Sequence, residues 1–197
     1  SIATKRRQNK LIKRLCFGAK RFWDTKVEYT TAQIPKRSGG TRELSIPIAE
    51  LKKTQKMLAR AFDRELAREV HKVANAYVKG RNTVTNAVPH LGCAVLVKLD
   101  IKDFFPSVTR DMLRPMLWRF VYQEPKALER LLDLCMTANG LPQGAPTSPI
   151  LSNLVLRKFD VVAYQYANLI GAKYTRYADD LTFSLAEDDP IKARKIV

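Results

Sequence analysis

Two neighbouring carboxylates, Asp179 and Asp180, sit between two short stretches that suit extended chain. Residues 173–176 read Lys-Tyr-Thr-Arg and residues 181–185 read Leu-Thr-Phe-Ser-Leu; each predicts a strand, with the acidic pair at the tight turn of a hairpin. Adjacent like charges repel, and a fold tolerates them most easily with a cation between them. Hard carboxylate oxygens suit Mg²⁺, which keeps several waters and is completed by substrate phosphates. Asp pairs are also common in plain solvated turns, so the pair gains meaning from a second feature. The run Ala-Val-Leu-Val-Lys-Leu at 94–99 ends in Asp100 and predicts a buried strand delivering a third carboxylate at its C-terminal end. Such a set serves nucleotidyl transfer, and paired carboxylates also serve metal-dependent hydrolysis of nucleic acid.

The rest of the chain supplies the elements that must carry these groups. Residues 4–23 predict a basic helix interrupted at Gly18. Residues 27–34 and 42–47 predict two strands joined by the basic turn Pro-Lys-Arg-Ser-Gly-Gly-Thr, with Lys36, Arg37 and Arg42 near its tip. Residues 51–73 predict one long amphipathic helix whose cations, Lys52, Lys56, Arg60, Arg64, Arg68 and Lys72, form a slanting ridge. A turn is expected at 79–82, and a helix start or loop at 86–89. Thr109 predicts the cap of a helix running to Tyr122, and a further helix covers 126–138. Ser148-Pro149 predicts the N-cap and first position of a single helix running to Leu169 and closed by Gly171. Strands alternating with long helices imply an α+β fold, a small antiparallel sheet backed by helices.

Three blocks now acquire a common meaning: Leu-Asp-Ile-Lys-Asp-Phe-Phe-Pro-Ser-Val at 99–108, Leu-Pro-Gln-Gly-Ala-Pro-Thr-Ser-Pro-Ile-Leu-Ser-Asn at 141–153, and Tyr-Thr-Arg-Tyr-Ala-Asp-Asp-Leu-Thr-Phe-Ser at 174–184. In that order they resemble a reverse transcriptase, and more narrowly a bacterial retron-type enzyme; group II intron and defence-associated enzymes are related alternatives. Asn-Ala-Val-Pro-His at 86–90 is similar to the Asn-Ala-x-x-His element of retron enzymes. The resemblance spans roughly 34–185. It implies a right-hand polymerase: fingers over 1–92, with further fingers elements within 110–145, and mainly palm over 93–197, with the primer grip and thumb absent from these residues.

It also implies roles. Asp100, Asp179 and Asp180 are the expected catalytic and metal-binding residues, holding two Mg²⁺ ions, with Mn²⁺ as a substitute. Lys36, Arg42, Asp103, Phe104, Phe105, Gln143 and Gly144 are the expected dNTP-binding residues. Phe105 is the ring beneath the sugar that excludes a 2′-hydroxyl, and the Asp103 and Phe104 backbone amides face the triphosphate. Lys52, Lys56, Arg60, Asn86 and His90 are the expected RNA-binding residues, although a histidine such as His90 is more often packed or capping. The implied partners are an RNA template, a DNA or RNA primer, dNTPs, a structured non-coding RNA and an accessory effector in antiviral defence.

Composition bounds these readings. The net charge is +16, with 19 basic and 7 acidic residues in 1–72, so a polyanionic partner is expected for the N-terminal part. That charge equally suits an RNA-binding module that makes no product. No apolar stretch approaches the ~20 residues of a membrane span, and the basic N-terminus lacks a following apolar region of secretory type. Cys16, Cys93 and Cys135 are odd in number and lack metal spacing, which suits a reducing, cytoplasmic setting.

Overall fold

The computed structural model describes residues 20–35, 39–121 and 124–197. In chain order the elements are α1 (Lys20–Asp24), β1 (Tyr29–Pro35), β2 (Thr41–Pro47), α2 (Ala49–Leu66), α3 (Thr83–Ala87), β3 (Val95–Asp100), α4 (Phe104–Ser107), α5 (Arg110–Phe120), α6 (Pro125–Cys135), α7 (Ser148–Val155), α8 (Arg157–Leu169), β4 (Ala172–Tyr177), β5 (Asp180–Leu185) and α9 (Pro190–Arg194). Short 3₁₀ turns cover Ala67–Glu69 and Val88–His90. They form two compact units, residues 1–66 with 105–151, and residues 67–104 with 152–197.

The first unit is a two-stranded ribbon with helices. β1 and β2 pair antiparallel from Tyr29↔Pro47 to Pro35↔Thr41. α2 buries Leu51, Leu58 and Phe62, and Phe62 meets Phe120 of α5 with ring centroids 5.0 Å apart. Gln55 ties the helix to both neighbours, donating to Tyr29 Oη and to the Leu134 carbonyl, each at 2.8 Å. Thr109 caps α5 as expected, and the helix accommodates Pro115.

The second unit is a three-stranded antiparallel sheet of order β3-β5-β4. One face packs on α8: Tyr174, Leu181, Phe183 and Leu185 join Ala163 and Ala167 in its core. Tyr174 and Phe183 stack at 4.6 Å. The hairpin between β4 and β5 forms where the sequence placed it.

Several expected boundaries move. β3 is an edge strand rather than a buried one. β5 occupies the centre, so β3 alternates between half-buried and exposed positions and Leu96 is 51% accessible. The long helix stops at Leu66, because the chain beyond it runs beside β4: the Arg176 N–H donates to the Val73 carbonyl, and Ala74 bridges Arg176. Residue 86 lies near the end of the short helix α3, which Asn82 opens with a capping box. α6 ends at Cys135, not Ala138. The helix after Ser148 is broken at Leu156 into α7 and α8. Ser148 is no side-chain cap: its buried hydroxyl donates to the Pro142 carbonyl at 2.8 Å. The expected basic helix over 4–23 and the end of α5 at Tyr122 lie largely or wholly outside the described residues. Cys93 and Cys135 are not in a disulfide.

Candidate active site

In the second unit, the β3–β5 register makes Asp100 the direct partner of Asp180. Tyr177 pairs with Asp180 on the other side, so Ala178 and Asp179 alone form the hairpin turn. Ala178 has φ 58°, in the left-handed region. The Asp179 carbonyl accepts a hydrogen bond from the Ile101 N–H at 3.1 Å, joining the turn to the residue that follows Asp100. Asp100 and Asp180 are exposed and Asp179 is half-buried. Three carboxylates therefore share one end of one sheet.

Among the described residues, no group of three His, Cys, Asp or Glu side chains is gathered closely enough to enclose a metal ion. Mg²⁺ is usually held by one or two carboxylates and completed by substrate phosphates and water. The donor set is all-oxygen and hard, so the residues fit a divalent cation of that class.

Beneath the turn lies a fully buried ionic network that the sequence reading did not single out. Arg176 and Asp160 form a two-pronged pair: Nε donates to Oδ1 at 2.8 Å and Nη2 donates to Oδ2 at 2.7 Å. Nη1 donates to Asn153 Oδ1 at 3.0 Å and to the Ala178 carbonyl at 2.9 Å. The available signal was a charged residue inside a strand otherwise flanked by Tyr and Thr.

Asp103 has φ 49° and is followed by α4, with Phe104 buried. Successive amides across a left-handed to right-handed junction make an anion-binding concavity.

In the first unit, Phe105 is half-buried and its carbonyl accepts from the Val108 and Leu141 N–H groups. Gly140 closes this contact. It has φ 93°, and a Cβ there would stand 2.3 Å from the Pro106 carbonyl oxygen. The loop holding Gln143 and Gly144 docks on β2: the Gln143 carbonyl accepts from Ser45 N–H at 2.9 Å, and a Cβ on Gly144 would stand 3.2 Å from the Ser45 oxygen. Gln143 Oε1 is buried with no partner, an acceptor left open beside this contact. Arg42 lies exposed on β2, opposite Ile34. Lys36 is outside the described residues.

The nominated RNA-binding residues divide. Lys56 and Arg60 line a groove of about 500 Å³ with Arg21, Lys53, Met57, Ala61 and Arg64. Lys52 is exposed but does not line it. Lys53, Lys56, Arg60 and Arg64 follow each other at three- and four-residue steps, a stripe about 16 Å long within roughly 80° of the helix surface. In the second unit His90 is buried, with Nδ1 hydrogen-bonded to Ser184 Oγ at 2.7 Å and Nε2 to Thr175 Oγ1 at 2.8 Å. Burial, then Lys173, holds its pKa below the ordinary imidazole value. Asn86 Oδ1 accepts from Asn75 Nδ2 at 3.1 Å. Both residues are thus engaged in holding α3 and the Val88–His90 turn to the sheet.

Residues 34–195 match the model of the reverse transcriptase (RNA-dependent DNA polymerase) family. The chain belongs to that family. It is similar to the retron Mx162 reverse transcriptase of Myxococcus xanthus, at 37% identity over 196 aligned residues, 91% of this chain and 40% of that protein. The retron Mx65 reverse transcriptase of the same bacterium is 40% identical over 173 aligned residues, 79% of this chain and 40% of that protein. These relatives support the bacterial retron type, and the chain spans about 40% of their length. Among solved structures, apo telomerase from Candida tropicalis, truncated from its C-terminal domain, shares the fold with TM-score 0.52 and 11% identity, over 86% of this chain and 46% of that one. The α+β architecture with small antiparallel sheets is that of polymerase fingers and palm. Reverse transcriptases as a family use divalent metal ions, and no helix of the described residues is long and apolar enough to cross a membrane.

Proposed function

We propose that this chain is the fingers and much of the palm of an RNA-directed DNA polymerase that copies a structured RNA into DNA from dNTPs. The observation that carries the reading is the Asp100↔Asp180 rung with Asp179 in the adjoining turn. The reaction is attack of a primer 3′-hydroxyl on the α-phosphate of a dNTP, with pyrophosphate leaving. Asp100, Asp179 and Asp180 are the residues that hold Mg²⁺. A bound divalent ion supplies activation of the hydroxyl and neutralisation of charge on the phosphates. The amides at Asp103 and Phe104 receive triphosphate oxygens. Arg42 offers a guanidinium fork of the kind that suits phosphate oxygens.

Phe105 excludes the 2′-hydroxyl by bulk, and the Gln143–Gly144 loop brings backbone close to the nascent base pair. Gly144 keeps this loop close to β2: its φ of 117° is strained for an L side chain, and an added Cβ would crowd the Ser45 carbonyl at 3.2 Å. The groove cations on α2 bind the RNA backbone independently of sequence.

The test is primer extension on an RNA template, using the longest natural chain that contains these residues, beside its Asp179→Asn variant. Mg²⁺-dependent DNA synthesis abolished by the substitution is expected. Tight RNA binding without product from either protein overturns the polymerase reading in favour of a binding module. Cleavage of the nucleic acid without a nucleotide requirement overturns it in favour of a nuclease.

A further inference from the structure

We infer that Arg176 is a positioning residue for the acidic hairpin: locked to Asp160 and Asn153, it holds the Ala178 carbonyl and so fixes the turn that presents Asp179 and Asp180. The inference rests on the proposed metal-binding role of those aspartates.

Arg176 is 0% exposed, and so are Asp160 and Asn153. Burying such an ion pair costs desolvation, and well-packed apolar replacements are often neutral or stabilising. Stability alone is therefore a poor account of this pair, and the geometry supplies a better one. The fork onto both Asp160 oxygens sets the guanidinium plane, which aims Nη1 at the turn. Asp160 is itself held by Tyr174 Oη at 3.0 Å, and Asn153 is anchored through Nδ2 to the Ala76 carbonyl at 2.9 Å. Both backbone polar groups of Arg176 are held by one neighbouring segment, its N–H donating to the Val73 carbonyl and its carbonyl accepting from the Asn75 N–H.

What Nη1 reaches is the carbonyl of Ala178, whose left-handed φ an L side chain adopts at a cost. A buried charged donor on that carbonyl offsets the cost and selects one turn conformation. That conformation places the Asp179 carbonyl on Ile101 N–H and Asp180 opposite Asp100. Any movement of the turn therefore reaches all three carboxylates. Lysine keeps the charge but not the planar fork, so it cannot serve Asp160 and Ala178 together.

The experiment compares Arg176→Lys, Tyr174→Phe and the unaltered protein in the longest natural chain. Amide hydrogen exchange is followed across β3, β4 and β5, and primer extension is titrated with Mg²⁺. Arg176→Lys is expected to speed exchange at residues 101 and 179–181 well beyond the rest of the sheet. It should also raise the Mg²⁺ requirement about tenfold or more, as loss of a ligand-orienting partner does, with the KM for primer–template unchanged.

Tyr174→Phe loosens Asp160 without touching the turn; it should lower Tm and leave the Mg²⁺ requirement in place. Uniformly faster exchange, or an unchanged Mg²⁺ requirement in folded Arg176→Lys, overturns the inference. If Arg176→Lys does not fold, Asn153→Ser replaces it, and the same local or uniform exchange pattern decides. If the unaltered protein makes no DNA, the polymerase reading fails while hydrogen exchange still decides whether Arg176 holds the turn.

Discussion

Asp100 and Asp180 face each other across one rung of the β3–β5 pair, so two carboxylates meet at a position where opposite charges would stabilise a sheet. Like charges directly opposite each other are destabilising, so the arrangement carries a cost that an ordinary turn would avoid. Asp180→Asn should therefore raise stability in metal-free buffer at low salt, by up to about 1 kcal/mol. The same substitution should remove most DNA synthesis. Thermal unfolding with and without Mg²⁺ checks this. A destabilised Asp180→Asn protein, or a gain that persists unchanged in saturating Mg²⁺, would count against a cation as the element that offsets the repulsion.

The ring of Phe105 is half-buried, unlike neighbouring Phe104, which leaves it a surface to present to a sugar. Phe105→Val should increase incorporation of ribonucleotides relative to deoxyribonucleotides, read as the ratio of kcat/KM values for the two triphosphates. The carbonyl hydrogen bonds from Val108 and Leu141 belong to the backbone and survive the change. An unchanged ratio in an active variant would remove Phe105 from the role.

Much of this was legible because it is local. The hairpin strands and the strand ending in Asp100 depend on short apolar runs and side-chain alternation, and they formed where expected. The turn is shifted by one residue, to Ala178 and Asp179, with Asp180 already paired as the first residue of β5. The end of α2 was not legible. Ala67, Arg68 and Glu69 are good helix formers, and what stops the helix is tertiary pairing of Val73 and Ala74 with Arg176 far along the chain. The break at Leu156 lacks any Gly or Pro to announce it. Arg176 did not stand out in the sequence, because the partners that justify its burial, Asp160 and Asn153, lie on helices 16 and 23 residues away. The apolar run before Asp100 read as buried, yet sheet order decides burial, and order is not written in a strand's own residues.

Gly140 occupies a position that other residues cannot share. Its φ of 93° is strained for an L side chain, and its neighbour is the fixed Pro106 backbone rather than a flexible side chain. Gly140→Ala should destabilise the first unit by about 2–4 kcal/mol, combining backbone strain with overpacking. It should also disturb Phe105, because Leu141 N–H bonds the Phe105 carbonyl. Chemical denaturation read together with the sugar-selectivity ratio checks both effects. A stability within 0.5 kcal/mol of the parent, about the noise of a surface substitution, would show that this contact is not held in solution.

The α2 stripe should act through charge rather than through base contacts. Replacing Lys53, Lys56, Arg60 and Arg64 together by Gln should weaken binding of a structured RNA at every sequence tested. The slope of log affinity against log salt should fall by about 3, at roughly 0.7 per lost phosphate contact. Replacing the two lysines by arginine should preserve the slope, and Asp179→Asn should leave it untouched. Fluorescence anisotropy across a salt series measures all of these. An unchanged slope in the Gln variant would place the RNA elsewhere.

His90 links stability to pH. Both ring nitrogens are hydrogen-bonded inside the second unit, and burial lowers the pKa relative to the unfolded chain. The unfolded state therefore binds the proton more readily than the native state does. The stabilisation is present above the ordinary imidazole value near 6.5 and is lost as pH falls through the lower folded value. His71 shifts in the same direction, chiefly through burial, so it adds to the same slope. Denaturation midpoints measured from pH 8 down to pH 5, about the span over which histidine titrates, should fall. The fall should be shallower in His90→Gln, which cannot take up the proton. An equally steep decline in that variant would assign the dependence to His71 or to the carboxylates instead.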